Sequence, residues 1–118
     1  MLYRLMCKDQ IVGYQKCYPQ KKPYYSVDLY GWSTDAIVFD RKDPCSGYFD
    51  KNKRMLFEGD IVHVNDLQDS FRVTAVADTD SFVLVSHETE AEIFFPENPM
   101  DGFKSYTFIG VDVSETHR

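Results

Sequence analysis

The chain has 118 residues, 43% hydrophobic and 15% aromatic, with a net charge of −6 and a pI near 4.9. That length predicts one domain, able to bury roughly two-thirds of its unfolded surface without disulfides or metal. The apolar content excludes a disordered chain, and the acidic balance argues against a nucleic-acid binder, which works through Lys and Arg.

Met1 to Met6 alternates weakly, with Leu2, Arg4 and Met6 on one face and Tyr3 and Leu5 on the other, and predicts a strand. Lys8-Asp9-Gln10 predicts a turn and Ile11-Val12-Gly13-Tyr14 a returning strand, so the chain opens on an antiparallel hairpin. Cys17 to Trp32 then holds Pro19, Pro23, Lys21, Lys22 and a concentration of rings. Proline and the residue before it disfavour helix, and the segment reads as an irregular arm that becomes extended after Pro23. Its Tyr18, Tyr24, Tyr25, Tyr30 and Trp32 are candidate partner-binding residues. Such rings anchor protein partners. Interleaved with Lys16, Lys21 and Lys22, they can also stack on single-stranded bases. The plainer alternative is that they cap the end of a small barrel.

Ala36-Ile37-Val38-Phe39 favours a strand, and Asp40 to Ser46, with its Asp43-Pro44 pair, a loop that exposes Cys45. Cys7, Cys17 and Cys45 are odd in number and far apart, with no CxxC and no His at ligand spacing. They read as reduced thiols of a cytoplasmic protein with no metal site. Gly47 to Val64, GYFDKNKRMLFEGDIVHV, reads as a polar turn at Asp50 to Lys53, a short apolar strand, a Gly59 reversal and a β-branched strand from Ile61.

That stretch resembles the YopX family of phage and prophage proteins, in which a segment of the form TGL-DKNG-EIYEGDIV precedes a small barrel. Ser46-Gly47-Tyr48 stands at the Thr-Gly-Leu of the family, Asp50-Lys51-Asn52 matches, Lys53 replaces the usual Gly, and Phe57 to Val62 matches nearly residue for residue. Phe108 to Val113 is similar to the closing VIGNIYE strand. Residues 1–45 lack the family's Trp-Asp opening. The resemblance implies phage origin and an SH3-like β core, and it brings no catalytic residue, because the family has no established reaction.

Phe71, Val73 and Ala75 alternate with Arg72, Thr74 and Val76; Asp78-Thr79-Asp80-Ser81 is a turn; Phe82 to Val85 is apolar on both faces and predicts a central strand. Residues 61–64, 71–76 and 82–86 therefore predict a meander, the body of a barrel. From His87 to Phe95 the acids Glu88, Glu90 and Glu92 recur with period two, which on an extended segment makes an acidic stripe. Asp78, Asp80, Glu88, Glu90 and Glu92 are the candidate acidic partner surface. The bland alternative is a wet, aggregation-resistant edge. Pro96 to Gly102 predicts a loop, Lys104 to Val113 the last strand, and Ser114 to Arg118 a frayed tail.

The chain has no GxGxxG, Walker or GxSxG pattern and no nucleophile–base pair. It has no apolar run of signal-peptide or membrane-span length. The expectation is a mainly β protein of one domain over 1–118. Residues 1–45 make an N-terminal hairpin and Tyr/Pro-rich arm, 46–113 an SH3-like barrel and 114–118 a tail. The function expected is non-enzymatic and cofactor-free, in the cytoplasm of a host bacterium. The acidic surface would bind and modulate or inhibit a host or defence complex with a basic face, in the manner of an anti-CRISPR protein. The alternative is a nucleic-acid accessory module using the Tyr/Lys arm. A small enzyme ranks last, and the exposed rings also allow a homo-oligomer.

Overall fold

In the computed structural model, which describes residues 1–98 and 103–112, the chain is built of antiparallel strands, with no α-helix among the described residues. It divides into two compact units, Met1–Cys45 and Ser46–Arg118. The first carries seven Lys/Arg against five Asp/Glu, the second six against fourteen, for net charges of +2 and −8.

Unit 1 opens on the expected hairpin. β1 (Leu2–Cys7) pairs antiparallel with β2 (Gln10–Lys16). Lys8 and Asp9 turn the chain with φ of 51° and 67°, the doubly left-handed geometry that suits the twist of a two-residue hairpin. β3 (Tyr24–Ser26) adds to β2, so the arm becomes extended after Pro23. Gly13 permits this. A Cβ there would lie 2.7 Å from the Ser26 carbonyl oxygen and 2.6 Å from Ile37 Cδ1, so glycine marks a close approach of backbone to backbone.

Two expectations fail between residues 36 and 46. Ala36 to Phe39 forms no strand, and the polar segment expected to be a loop is the long strand β4 (Arg41–Phe49), with Cys45 half-buried in it. The cause is tertiary. Residues Arg41 to Pro44 complete the free edge of β1, and Asp43 is buried between two guanidiniums. Arg4 Nη2 lies 2.8 Å from Asp43 Oδ2, and Arg41 Nε lies 2.9 Å from Oδ1. Arg4, placed by alternation among apolar neighbours, is 1% exposed. β4 runs through the division between the units, its first half beside β1 and its second beside β5 (Met55–Phe57).

Unit 2 contains the expected meander. β6 (Asp60–Val64), β7 (Ser70–Ala75) and β8 (Phe82–Ser86) pair in sequence; β9 (Glu92–Phe94) adds to β8, and β10 (Tyr106–Val111) returns to β6. A 3-10 turn over Phe103–Ser105 precedes β10. No closed barrel forms among the described residues: the sheet order is β10-β6-β7-β8-β9. Its core is Leu56, Val62, Phe71, Val73, Leu84, Phe95 and Tyr106. The motif residues are structural. The buried Asp50 carboxylate accepts from the backbone N–H of Asn52, Arg54 and Phe108, and buried Asp60 accepts from Phe57 at 2.8 Å. Gly59 turns at φ 91°, and its N–H donates to the Val73 carbonyl. The expected tail, Ser114 to Arg118, and residues 99–102 of the expected loop lie outside the described residues.

Candidate functional site

The five acidic candidates are all exposed, but they do not form a stripe. Asp78 and Asp80 sit in the reversal between β7 and β8. Glu88 and Glu90 sit in a second reversal between β8 and β9, and only Glu92 lies on a strand. Turn chemistry overrides the period-two pattern. The Ser86 hydroxyl accepts from the N–H of Glu88 and Thr89, the Glu90 N–H donates to the Ser86 carbonyl, and Glu90 turns left-handed at φ 61°. A serine hydroxyl that competes for backbone N–H groups ends a strand.

Among the described residues of unit 2, a concave feature lies where the β7–β8 reversal meets the end of β9 and the second half of β4. It is a cleft of about 340 Å³ lined by Ser46, Tyr48, Asp80, Ser81, Phe82, Phe94, Phe95 and Glu97. Half of its lining residues are aromatic and the rest polar or acidic. Phe95 stacks on Tyr48 with ring centroids 4.1 Å apart and meets Tyr106 edge-on at 5.5 Å. The Tyr48 hydroxyl donates to the Pro96 carbonyl at 2.7 Å, and the Ser46 hydroxyl donates to the Leu56 carbonyl at 2.7 Å. Burial, and secondarily the neighbouring Tyr48, raises the Tyr106 pKa, so that ring stays neutral. Phe94 projects outward and is 74% exposed. Asp80 and Glu97 are the charges on the lining, both negative, and among the described residues neither is in an ion pair.

The aromatic candidates of unit 1 do not form one platform. Tyr25 is half-buried; its hydroxyl accepts from Gln15 Nε2 at 3.0 Å, and its backbone pairs with Ser33. The Trp32 indole lies under Lys16 Nζ at 4.2 Å from the ring centroid and donates to the Leu29 carbonyl. Tyr18 and Tyr24 meet edge-on at 6.1 Å. Tyr30 stands apart at 90% exposure. The loop that presents Tyr30 and Trp32 is tied by Asp28, whose carboxylate accepts from the N–H of Tyr30 and Gly31.

These two bonds, with a lesser contribution from the Ser26 hydroxyl, hold the Asp28 pKa below its ordinary value against an opposing effect of desolvation. A depressed carboxyl orders the loop fully at neutral pH, and the ordering is lost as pH falls through the depressed value. Trp32 is the one tryptophan in the sequence. Its fluorescence should therefore hold steady from neutral pH to the ordinary aspartate range, about 3.9, and change only below it. Asp28→Ala should show the low-pH emission already at neutral pH. A transition above the ordinary range, or one that survives Asp28→Ala unchanged, would contradict this.

Of the ten candidates, Asp80 alone borders the cleft. Tyr48, Phe82, Phe94, Phe95 and Glu97 were not singled out by sequence, because three separate segments supply them. The available signal was Phe94-Phe95-Pro96, since adjacent rings on a strand cannot both face the core. Among the described residues no three His, Cys, Asp or Glu side chains stand close enough to hold a metal ion, and no helix is long and apolar enough to cross a membrane. Comparison of the chain with protein-family models, curated proteins and solved structures finds no match.

Proposed function

We propose that this is a non-enzymatic interaction protein of phage or prophage origin, whose acidic unit 2 binds a basic face of a host or defence complex and modulates or inhibits it in the host cytoplasm. The observation that carries the reading is the separation of charge. A net −8 falls on the unit that also holds an aromatic cleft edged by two carboxylates. Charge complementarity of this kind mainly raises association rate and selects partners.

The YopX resemblance supplies the phage origin, and one detail supports it. Lys53, which stands where the family pattern has Gly, takes φ 63°, a left-handed geometry that glycine adopts without strain. The SH3-like reading of unit 2 is supported by the order of its five-stranded sheet, β10-β6-β7-β8-β9, in which the last strand returns to the first, and by the 3-10 turn before that last strand.

A second reading, a nucleic-acid accessory module, draws on the +2 charge of unit 1, on Lys16 over Trp32, and on the exposure of Tyr18, Tyr24 and Tyr30. The deciding experiment is affinity capture with the full chain from a lysate of a bacterial host that carries its defence systems, with bound nucleic acid assayed in parallel. Recovery of a protein complex that resists nuclease treatment is the expected result. Nucleic acid recovered without protein would overturn the first reading in favour of the second.

A further inference from the structure

We infer that the cleft of unit 2 receives an arginine side chain of the partner, an assignment that rests on the proposed binding of a basic face and names what that face inserts. The lining offers a guanidinium both of the things it binds. Phe94 is exposed and Phe82 half-buried, and they present aromatic surface, on which a planar cation stacks; Phe95 and Tyr48, stacked on each other, form the wall behind them. Asp80 and Glu97 supply carboxylates, which match the guanidinium fork.

The cleft has room for an arginine side chain. About 340 Å³ lies at the low end of the roughly 300–1,000 Å³ range of small-ligand pockets. Among the described residues no Lys or Arg lines the cleft to compete for the carboxylates. Phe94 is the element that a merely structural cleft does not need. It is 74% exposed, whereas its neighbour Phe95 already fills the core. An arginine laid against Phe94 would cover it. An anion is repelled by both carboxylates. A lysine ammonium gains less, because it is a compact point charge without a face to stack.

The test is a titration of the isotope-labelled full chain, followed by backbone amide shifts, with N-acetyl-arginine amide, its neutral citrulline isostere and N-acetyl-lysine amide. Saturable shifts from arginine should gather on residues 80–82, 94, 95 and 97. Citrulline should bind at least about tenfold more weakly, the loss of a cation–π and charge contribution of ordinary size. Phe94→Ala, at an exposed position that leaves the fold intact, and Glu97→Gln should each weaken arginine binding. The assignment is overturned if citrulline binds as well as arginine, if lysine binds more tightly, or if the shifts scatter over the acidic surface.

The outcome separates from that of the proposed function. If Phe94→Ala and Glu97→Gln leave capture of a protein complex intact while reversal of Glu88, Glu90 and Glu92 abolishes it, the cleft assignment alone falls. If arginine binds the cleft and no complex is captured, the partner reading alone falls.

Discussion

Replacing Asp43 with Ala is expected to cost about 3–5 kcal/mol of folding stability, the range for breaking a buried ion pair from one side. Arg4 is 1% exposed, and its Nη2 and Nε donate to the same Asp43 oxygen at 2.8 and 3.2 Å. The substitution removes the carboxylate facing that buried charge and also releases Arg41, which bonds it at 2.9 Å. Arg41→Ala should cost far less, about 1 kcal/mol or under, because its side chain is partly in water and Arg4 still holds the carboxylate. The double change Arg4→Met with Asp43→Leu should recover most of the loss, since a well-packed apolar pair can replace a buried ion pair. Urea denaturation of the four proteins checks this. If Asp43→Ala lost no more than Arg41→Ala, the pairing of β1 with β4 would owe little to these charges.

The second large effect is at Asp50. Its Oδ1 accepts from Asn52 and Arg54 at 2.9 Å each, and its Oδ2 accepts from Phe108 at 3.2 Å. One carboxylate therefore closes the Lys51-Asn52 turn and ties β10 to it. Asp50→Ala leaves those three N–H groups without this acceptor, at about 1–3 kcal/mol for each that water cannot reach. A total of about 3 kcal/mol or more is expected. Asp50→Asn keeps one oxygen and should lose less. Amide exchange should show Phe108 opening first, and equal losses in Asp50→Ala and Asp50→Asn would contradict the assignment of separate bonds to the two oxygens.

Both residues show what sequence could and could not disclose. The meander was legible because Phe71, Val73 and Ala75 alternate with polar neighbours and Gly59-Asp60 punctuates the chain. The hairpin was legible because two apolar runs flank a polar turn. β4 was not, because Arg41-Lys42-Asp43-Pro44 carries loop chemistry, and its strand comes from a buried ion cluster with a residue nearly forty positions away. Propensity yields to such tertiary demands. The acidic stripe failed because one hydroxyl, that of Ser86, turns the chain within the period-two run. The cleft was illegible for a third reason: Tyr48, Asp80 and Phe94 are distant in sequence, and Tyr48 comes from a different sheet, joined to the end of β9 by its stacking on Phe95.

Charge reversal tests the central claim, binding through the acidic unit, most directly. Glu88, Glu90 and Glu92 are exposed, so Glu88→Lys, Glu90→Lys and Glu92→Lys together should leave the fold intact, as circular dichroism would verify. The measurement is the association rate of the captured complex with the wild-type and triple-variant proteins at low and physiological salt. The account predicts a fast, salt-sensitive association for the wild type that slows at least about tenfold in the variant, within the span over which steering acts. An unchanged rate with no salt dependence would contradict it.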